Sequence, residues 1–236
     1  MFKSAVKYCL LGVLLLALFS YLYFIFLGFR LSHEMNRGGS KLVALTFDDG
    51  PGEGTKEILQ VLKSENVKAT FFVVGKESAK NPELLKQIFS EGHLVGLHSW
   101  DHPRFLGFRL PGKAEEEIQK SKQAVLGITG CEPMLFRAPH GHTSPLLSYI
   151  LKKSGLTEVT WTNTVYDWKE GFNKENLAEK FKKYSDSNKS FVPLLHDRVY
   201  KTAEMQEALR SEIQKLKVAG YSFVTLSDVL EQADCK

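Results

Sequence analysis

Hydrophobic and polar positions follow two regimes along this chain. From Tyr8 to Phe29 (YCLLGVLLLALFSYLYFIFLGF) no charge interrupts the run. At about 1.5 Å per residue, a helix of that length spans roughly 33 Å, close to a hydrocarbon core of about 30 Å. Apolar side chains ring it on every side, so it has no face to offer water. A cleaved signal peptide carries an apolar region of about 7–15 residues followed by small residues. Here the run is longer, and FLGFRLSHEM holds no such cleavage pattern. Residues 1–30 are therefore expected to be an uncleaved signal anchor. Residues 31–41 (LSHEMNRGGSK) are polar with a Gly pair and read as a short linker.

From Leu42 onward, short apolar runs alternate with amphipathic stretches. The expected strands are 42–47, 69–74, 93–99, 134–139, 156–162, 191–197 and 222–226. The expected helices are 55–65, 82–91, 113–127, 145–153, 174–184 and 203–218, with a short one from Ser227. Strands apolar on both faces are those of a buried parallel sheet, and strand–helix alternation implies helices packed outside it. No glycine-rich dinucleotide fingerprint follows the first strand, since Gly50, Gly52 and Gly54 lie in a Pro-broken turn. A barrel-like closure is favoured over an open doubly wound sheet. Residues 42–236 then form one body of seven strand–helix units.

Charge changes the picture little. The net charge is +4, and residues 1–37 hold Lys3, Lys7, Arg30 and Arg37 against Glu34 alone. The body is close to neutral, which argues against a nucleic-acid partner. Basic residues flank both sides of the apolar run, so the positive-inside rule gives no orientation. Three Cys are too few for a disulfide-built scaffold, although Cys131 and Cys235 can pair in an oxidising compartment.

Every unusual polar residue falls at a strand end, where the chemistry of a parallel αβ barrel sits. Asp48 and Asp49 follow the first strand. His98 and His102 follow the third, between Gly96 and Pro103, which places the pair on a loop. Two imidazoles and a carboxylate form a recurrent zinc set that leaves positions open. Arg137 interrupts an apolar strand and needs a carboxylate partner; Pro139 and His140 follow it. Asp167 and Trp168 follow the fifth strand, and His196 closes the sixth.

Taken together, TFDDGP (46–51), HSWDH (98–102), RAPHG (137–141), Asp167-Trp168 and LLHD (194–197) resemble, in order, the five motifs of the polysaccharide deacetylases. This is the NodB-homology family, carbohydrate esterase family four. The resemblance covers about residues 41–230. It implies a distorted (β/α)7 barrel, here preceded by one transmembrane helix, and metal-dependent removal of N-acetyl groups from N-acetylhexosamine units. By the same resemblance Asp49, His98 and His102 are the metal ligands, with zinc first among divalent ions. Asp48 is the general base, Arg137 its orienting partner, His196 the general acid and Asp167 the carboxylate that tunes it. Pro139, His140 and Trp168 border the substrate.

Two positions depart from the family pattern. Thr164 stands where an earlier Asp of the fourth motif is usual, and His140 stands where the third motif often has Tyr. The expected substrate is a cell-envelope or extracellular glycan, which places the body on the extracytoplasmic side of a single-pass anchor. Two alternatives stay open: an inactive glycan-binding module on the same fold, and a deacylase of a non-glycan amide or lipid-linked sugar. Neither the glycan nor an oligomeric state is written in the sequence.

Overall fold

A computed structural model describes residues 2–230. Helix α1 (Phe2–Asn36) is followed by β1 (Leu42–Val43), β2 (Thr46–Asp48), α2 (Thr55–Ser64), β3 (Thr70–Val73), α3 (Gly75–Lys80), α4 (Pro82–Ser90) and β4 (Leu94–Leu97). The chain continues through α5 (Pro111–Thr129), β5 (Leu135–Phe136), α6 (Pro145–Lys153), β6 (Thr157–Glu158) and β7 (Asn163–Thr164). It ends with α7 (Lys174–Asp186), β8 (Pro193–His196), α8 (Ala203–Val218), β9 (Ser222–Phe223) and α9 (Leu226–Leu230).

Seven parallel strands curl into one sheet in the order β6-β5-β4-β3-β2-β8-β7. This is the distorted (β/α)7 fold. Alternation along each strand divides two clusters. Phe47, Phe71, Leu97, Phe136 and Leu195 face the helices, where they meet Ile58, Leu85, Ile118, Leu151 and Leu209. Ala44, Phe72, Leu135 and Val192 form a second, inner cluster.

One expected strand divides and another is cut short. The run 42–47 gives β1, which pairs with β9, and β2, which pairs with β3 and β8. The run 156–162 is strand only at β6, which pairs with β5; β7, which pairs with β8, begins just beyond it at Asn163. One stretch of chain thus supplies both edges of the curled sheet, which stays open between them. Helix α3 was not expected. Gly75 opens it one residue after β3, and the non-helical backbone of Asn81 separates it from α4, which has Pro82 at its first turn.

Helix α1 runs on to Asn36, into the segment expected as a linker. Leu31 and Met35 join the inner cluster with Phe72, Val159, Val192 and Leu226. Asn36 Oδ1 accepts a hydrogen bond from the Ser190 amide at 2.9 Å. Phe24 meets Trp161 edge-on, with ring centroids 4.9 Å apart. Further up, the Ser20 hydroxyl donates to the Thr143 carbonyl at 2.6 Å and the Tyr23 hydroxyl to Ser148 Oγ at 2.8 Å. These polar residues in an apolar run are thereby satisfied by the body. The helix lies beside the β6–β7 gap and runs antiparallel to the strands. Cys131 is in a disulfide; Cys235, with which the sequence allowed it to pair, lies outside the described residues.

Candidate active site

The strand register builds the site. Asp48, last residue of β2, is paired with His196, last residue of β8. Leu97 of β4 is paired with Phe136 of β5, so His98 and Arg137 leave the sheet side by side. Thr46 and Asp48 point inward, opposite to Phe47. Five loops distant in sequence thus meet at one end of the sheet.

Asp48 and Arg137 are buried, at 2% and 1% exposure, and pair at 2.8 Å between Oδ1 and Nη1. Both terminal nitrogens of the guanidinium are held, while Nε is buried without a partner. Nη1 also donates to Thr46 Oγ1 at 2.8 Å, Nη2 donates to the Thr160 carbonyl at 2.8 Å, and the plane lies 4.0 Å over the Phe72 ring. A buried charge without such partners would be strongly destabilising. Asp48 Oδ2 is left facing the histidines, 3.8 Å from His98 Nε2.

His98 Nδ1 lies 2.7 Å from the Arg137 carbonyl. A carbonyl only accepts, so Nδ1 carries the proton and Nε2 presents a lone pair. His102 Nε2 lies 3.2 Å from Asp49 Oδ1, and His98 Nε2 lies 3.7 Å from the same oxygen. One donor atom from each of Asp49, His98 and His102 falls within 4.8 Å of the others. Asp49 Oδ1 is buried without a hydrogen-bond partner, an orphan a cation would satisfy. Burial lowers the pKa of both histidines, which favours the neutral, ligating form. Burial pushes Asp49 up, but His98, His196, His102 and Arg198 together hold it below the usual carboxylate value. The donor set fits a divalent ion.

The second half of the site is a dyad of a buried carboxylate and a partly buried imidazole. Asp167 accepts from the His196 amide at 2.7 Å and pairs with His196 Nδ1 at 2.6 Å. Burial lowers the imidazole pKa, while the bond and charge of Asp167 raise it; the net shift is upward. Trp168, half-exposed, stands edge-on to this ring at 5.3 Å. His140 sits in a turn begun by Pro139, at φ 57°, with its ring 4.5 Å from that of His102. Burial and the nearby cationic groups push its pKa down to about 4. Hydrogen bonds, close charge contacts, ring contacts and strand register thus bring together the sequence-expected residues Asp48, Asp49, His98, His102, Arg137, His140, Asp167, Trp168 and His196, and Pro139 opens the turn that carries His140.

Sequence reasoning gave no role to Asp197, Arg198 or Thr160. Asp197 is buried and bonds Thr55, clamping the turn after Asp49 onto the end of β8. Burial raises its pKa to about 6. Arg198 reaches Asp49 Oδ2 at 3.3 Å. The available signal was adjacency to His196. Thr160 acts through its carbonyl, which no side-chain pattern reveals. Thr164, the departure in the fourth motif, takes a different job: its hydroxyl accepts from the Trp161 indole at 2.8 Å.

A polysaccharide deacetylase family model matches residues 35–159. The chain belongs to the polysaccharide deacetylase family. It is 37% identical over 191 residues to the peptidoglycan-N-acetylglucosamine deacetylase PgdA of Listeria monocytogenes, covering 80% of this chain and 39% of that protein. It is 32% identical over 193 residues to a peptidoglycan-N-acetylglucosamine deacetylase of Bacillus cereus, covering 80% of this chain and 88% of the relative. Among solved structures, a family 4 carbohydrate esterase from Streptomyces lividans in complex with acetate superposes with a TM-score of 0.72 at 30% identity, over 83% of this chain and 97% of that one. The chain thus spans about two fifths of the length of the Listeria relative.

Proposed function

We propose that this polysaccharide deacetylase domain hydrolyses the N-acetyl group of N-acetylhexosamine units in a cell-envelope glycan, peptidoglycan first, releasing acetate and a free amine. The observation that carries this reading is the joining of a base pair, Asp48–Arg137, and an acid pair, His196–Asp167, on either side of an Asp-His-His ligand cluster. The names of the Listeria and Bacillus relatives support peptidoglycan.

Asp49, His98 and His102 would hold the divalent ion, zinc first. When bound, such an ion supplies Lewis acidity to the acetyl carbonyl and the attacking water. The rest falls to side chains. Asp48 takes the water proton at Oδ2, since Oδ1 is committed to Arg137. A backbone N–H beside His140 is the proposed donor to the oxyanion that develops on the acetyl oxygen. An amide nitrogen leaves only when protonated. His196 gives that proton from Nε2, because Nδ1 is held by Asp167. Trp168 supplies a wall against which a sugar ring packs. Helix α1 is proposed as a single-pass anchor that keeps the body on the extracytoplasmic side, where such glycans lie.

Replacing Asp48 by Asn tests the base assignment. Acetate release from N-acetylglucosamine oligomers by the full chain is expected to fall at least about 100-fold, the range typical of general base removal. Zinc content measured on the same preparation should be retained. Turnover near the parent rate would reject Asp48 as base.

A further inference from the structure

A carboxylate can present either oxygen to an ion, or both at once. In Asp49 the two oxygens are divided. Oδ1 faces the histidines, 3.2 Å from His102 Nε2 and 3.7 Å from His98 Nε2, and is buried without a hydrogen-bond partner. Oδ2 accepts from Arg198 Nη1 at 3.3 Å. The fold brings the two residues together. Asp48 of β2 is paired with His196 of β8, so Asp49 and Arg198 leave the sheet from neighbouring strands. Successive residues of a strand point to opposite faces. Asp49 breaks that alternation at φ 77°, and its Oδ1 and the Oδ2 of Asp48 lie 3.7 and 3.8 Å from the same His98 Nε2. The turn that follows packs closely on the end of β8: a Cβ at Gly50 would lie 2.5 Å from Asp197 Oδ2. The backbone carrying Arg198 is thereby set against the backbone carrying Asp49.

We propose that Arg198 is a positioning residue: it holds Asp49 Oδ2, so that Asp49 gives a divalent ion Oδ1 alone. The inference rests on reading Asp49, His98 and His102 as the ligands of that ion. The Arg198 side chain is 57% exposed, and an ion pair so open to water adds little to stability. Its effect lies in direction. Groups that hydrogen-bond a ligating carboxylate orient it, and the number and geometry of ligands decide which metal a site favours. A carboxylate held to one oxygen suits zinc, which takes few ligands. A released one can bind through both oxygens, the mode larger oxygen-seeking ions accept. Charge and direction pull zinc affinity in opposite senses. Removing a cation from beside the site would by charge alone tighten the hold on zinc. A loss of affinity is therefore the mark of positioning. Since the contact is made through Nη1, a lysine amine can replace it.

The test uses the detergent-solubilised full chain, stripped of metal and titrated with zinc chloride against a chromophoric chelator. A parent chain that binds no zinc overturns the ligand reading, and this inference with it. With zinc bound by the parent, Arg198→Met is expected to weaken it roughly tenfold, the low end of the range for partners of metal ligands. Arg198→Lys should recover most of that loss. Lys201→Met removes a charge from the same turn, where Lys201 pairs with Glu53 at 2.9 Å, and should leave zinc affinity unchanged. Unchanged or tighter zinc in Arg198→Met, a Lys variant no better than the Met variant, or equal weakening in Lys201→Met overturns the inference and leaves the ligand cluster standing. Cobalt(II) in place of zinc gives a second readout. Its visible absorption weakens as ligands are added, so Arg198→Met is expected to absorb less strongly than the parent; identical spectra would contradict the restriction to one oxygen. At saturating zinc, KM for N-acetylglucosamine oligomers should match the parent's. A raised KM with unchanged zinc affinity would assign Arg198 to the substrate instead.

Discussion

His196 works only if it carries a proton when the amide nitrogen needs one. Asp167, fixed at 2.6 Å from Nδ1, raises its pKa against the opposing effect of burial. The sign of the pH dependence follows. Activity is full while the imidazole is protonated and is lost as pH rises through its raised pKa. Asp167→Asn removes the charge that raises it. The alkaline limb of kcat/KM is then expected to move to lower pH, with a smaller loss at the acid end of the profile. An unmoved limb would separate Asp167 from the titration. Asp48 and Arg137 show the opposite economy: both are buried, and each hydrogen bond made by the guanidinium removes a cost that an unpaired charge would impose.

At the scale of elements, the turn from β2 into α2 is the most constrained piece of the site. Gly54 adopts φ 94°, and a Cβ placed there would lie 2.0 Å from the Asp197 carbonyl oxygen. Gly54→Ala must therefore either push α2 from the end of β8 or strain the backbone. Expected is a stability loss of about 1–3 kcal/mol, read from the urea midpoint of the detergent-solubilised chain, together with reduced activity. A midpoint equal to the parent's would show that the turn yields freely. Most of this was legible beforehand. Strand-end placement named the ten site residues, and α6 and α8 begin and end where the apolar spacing put them. The early end of the strand in 156–162 and the start of β7 beyond it were not legible, because an apolar run marks burial and leaves pairing to the curvature of the sheet. The extension of α1 was half-visible. Ser20, Phe24, Leu27, Leu31 and Met35 repeat at three- and four-residue spacing, a docking stripe masked by the polar residues between the last of them.

For the whole molecule, α1 is both a candidate membrane span and a piece of the body's core. Leu31 and Met35 complete the inner cluster, whereas the side chains of Leu10, Leu14 and Leu18 are exposed. A chain beginning at residue 20 should therefore fold, and one beginning at residue 38 should lose the cover over Phe72, Val159 and Val192. Thermal unfolding of the two is expected to differ by several degrees or more, since burying one Leu or Met side chain is worth about 1.5–3 kcal/mol. Equal melting temperatures would mean that α1 docks without contributing. The central claim for the molecule is that Asp49, His98 and His102 converge on one divalent ion that deacetylation requires. The most direct measurement is acetate release from N-acetylglucosamine oligomers by the full chain, before chelation, after it, and after zinc is restored. The account predicts activity that disappears with chelator and returns at about one zinc per chain, with no such return in His98→Ala or His102→Ala. Undiminished release from metal-free protein would contradict it.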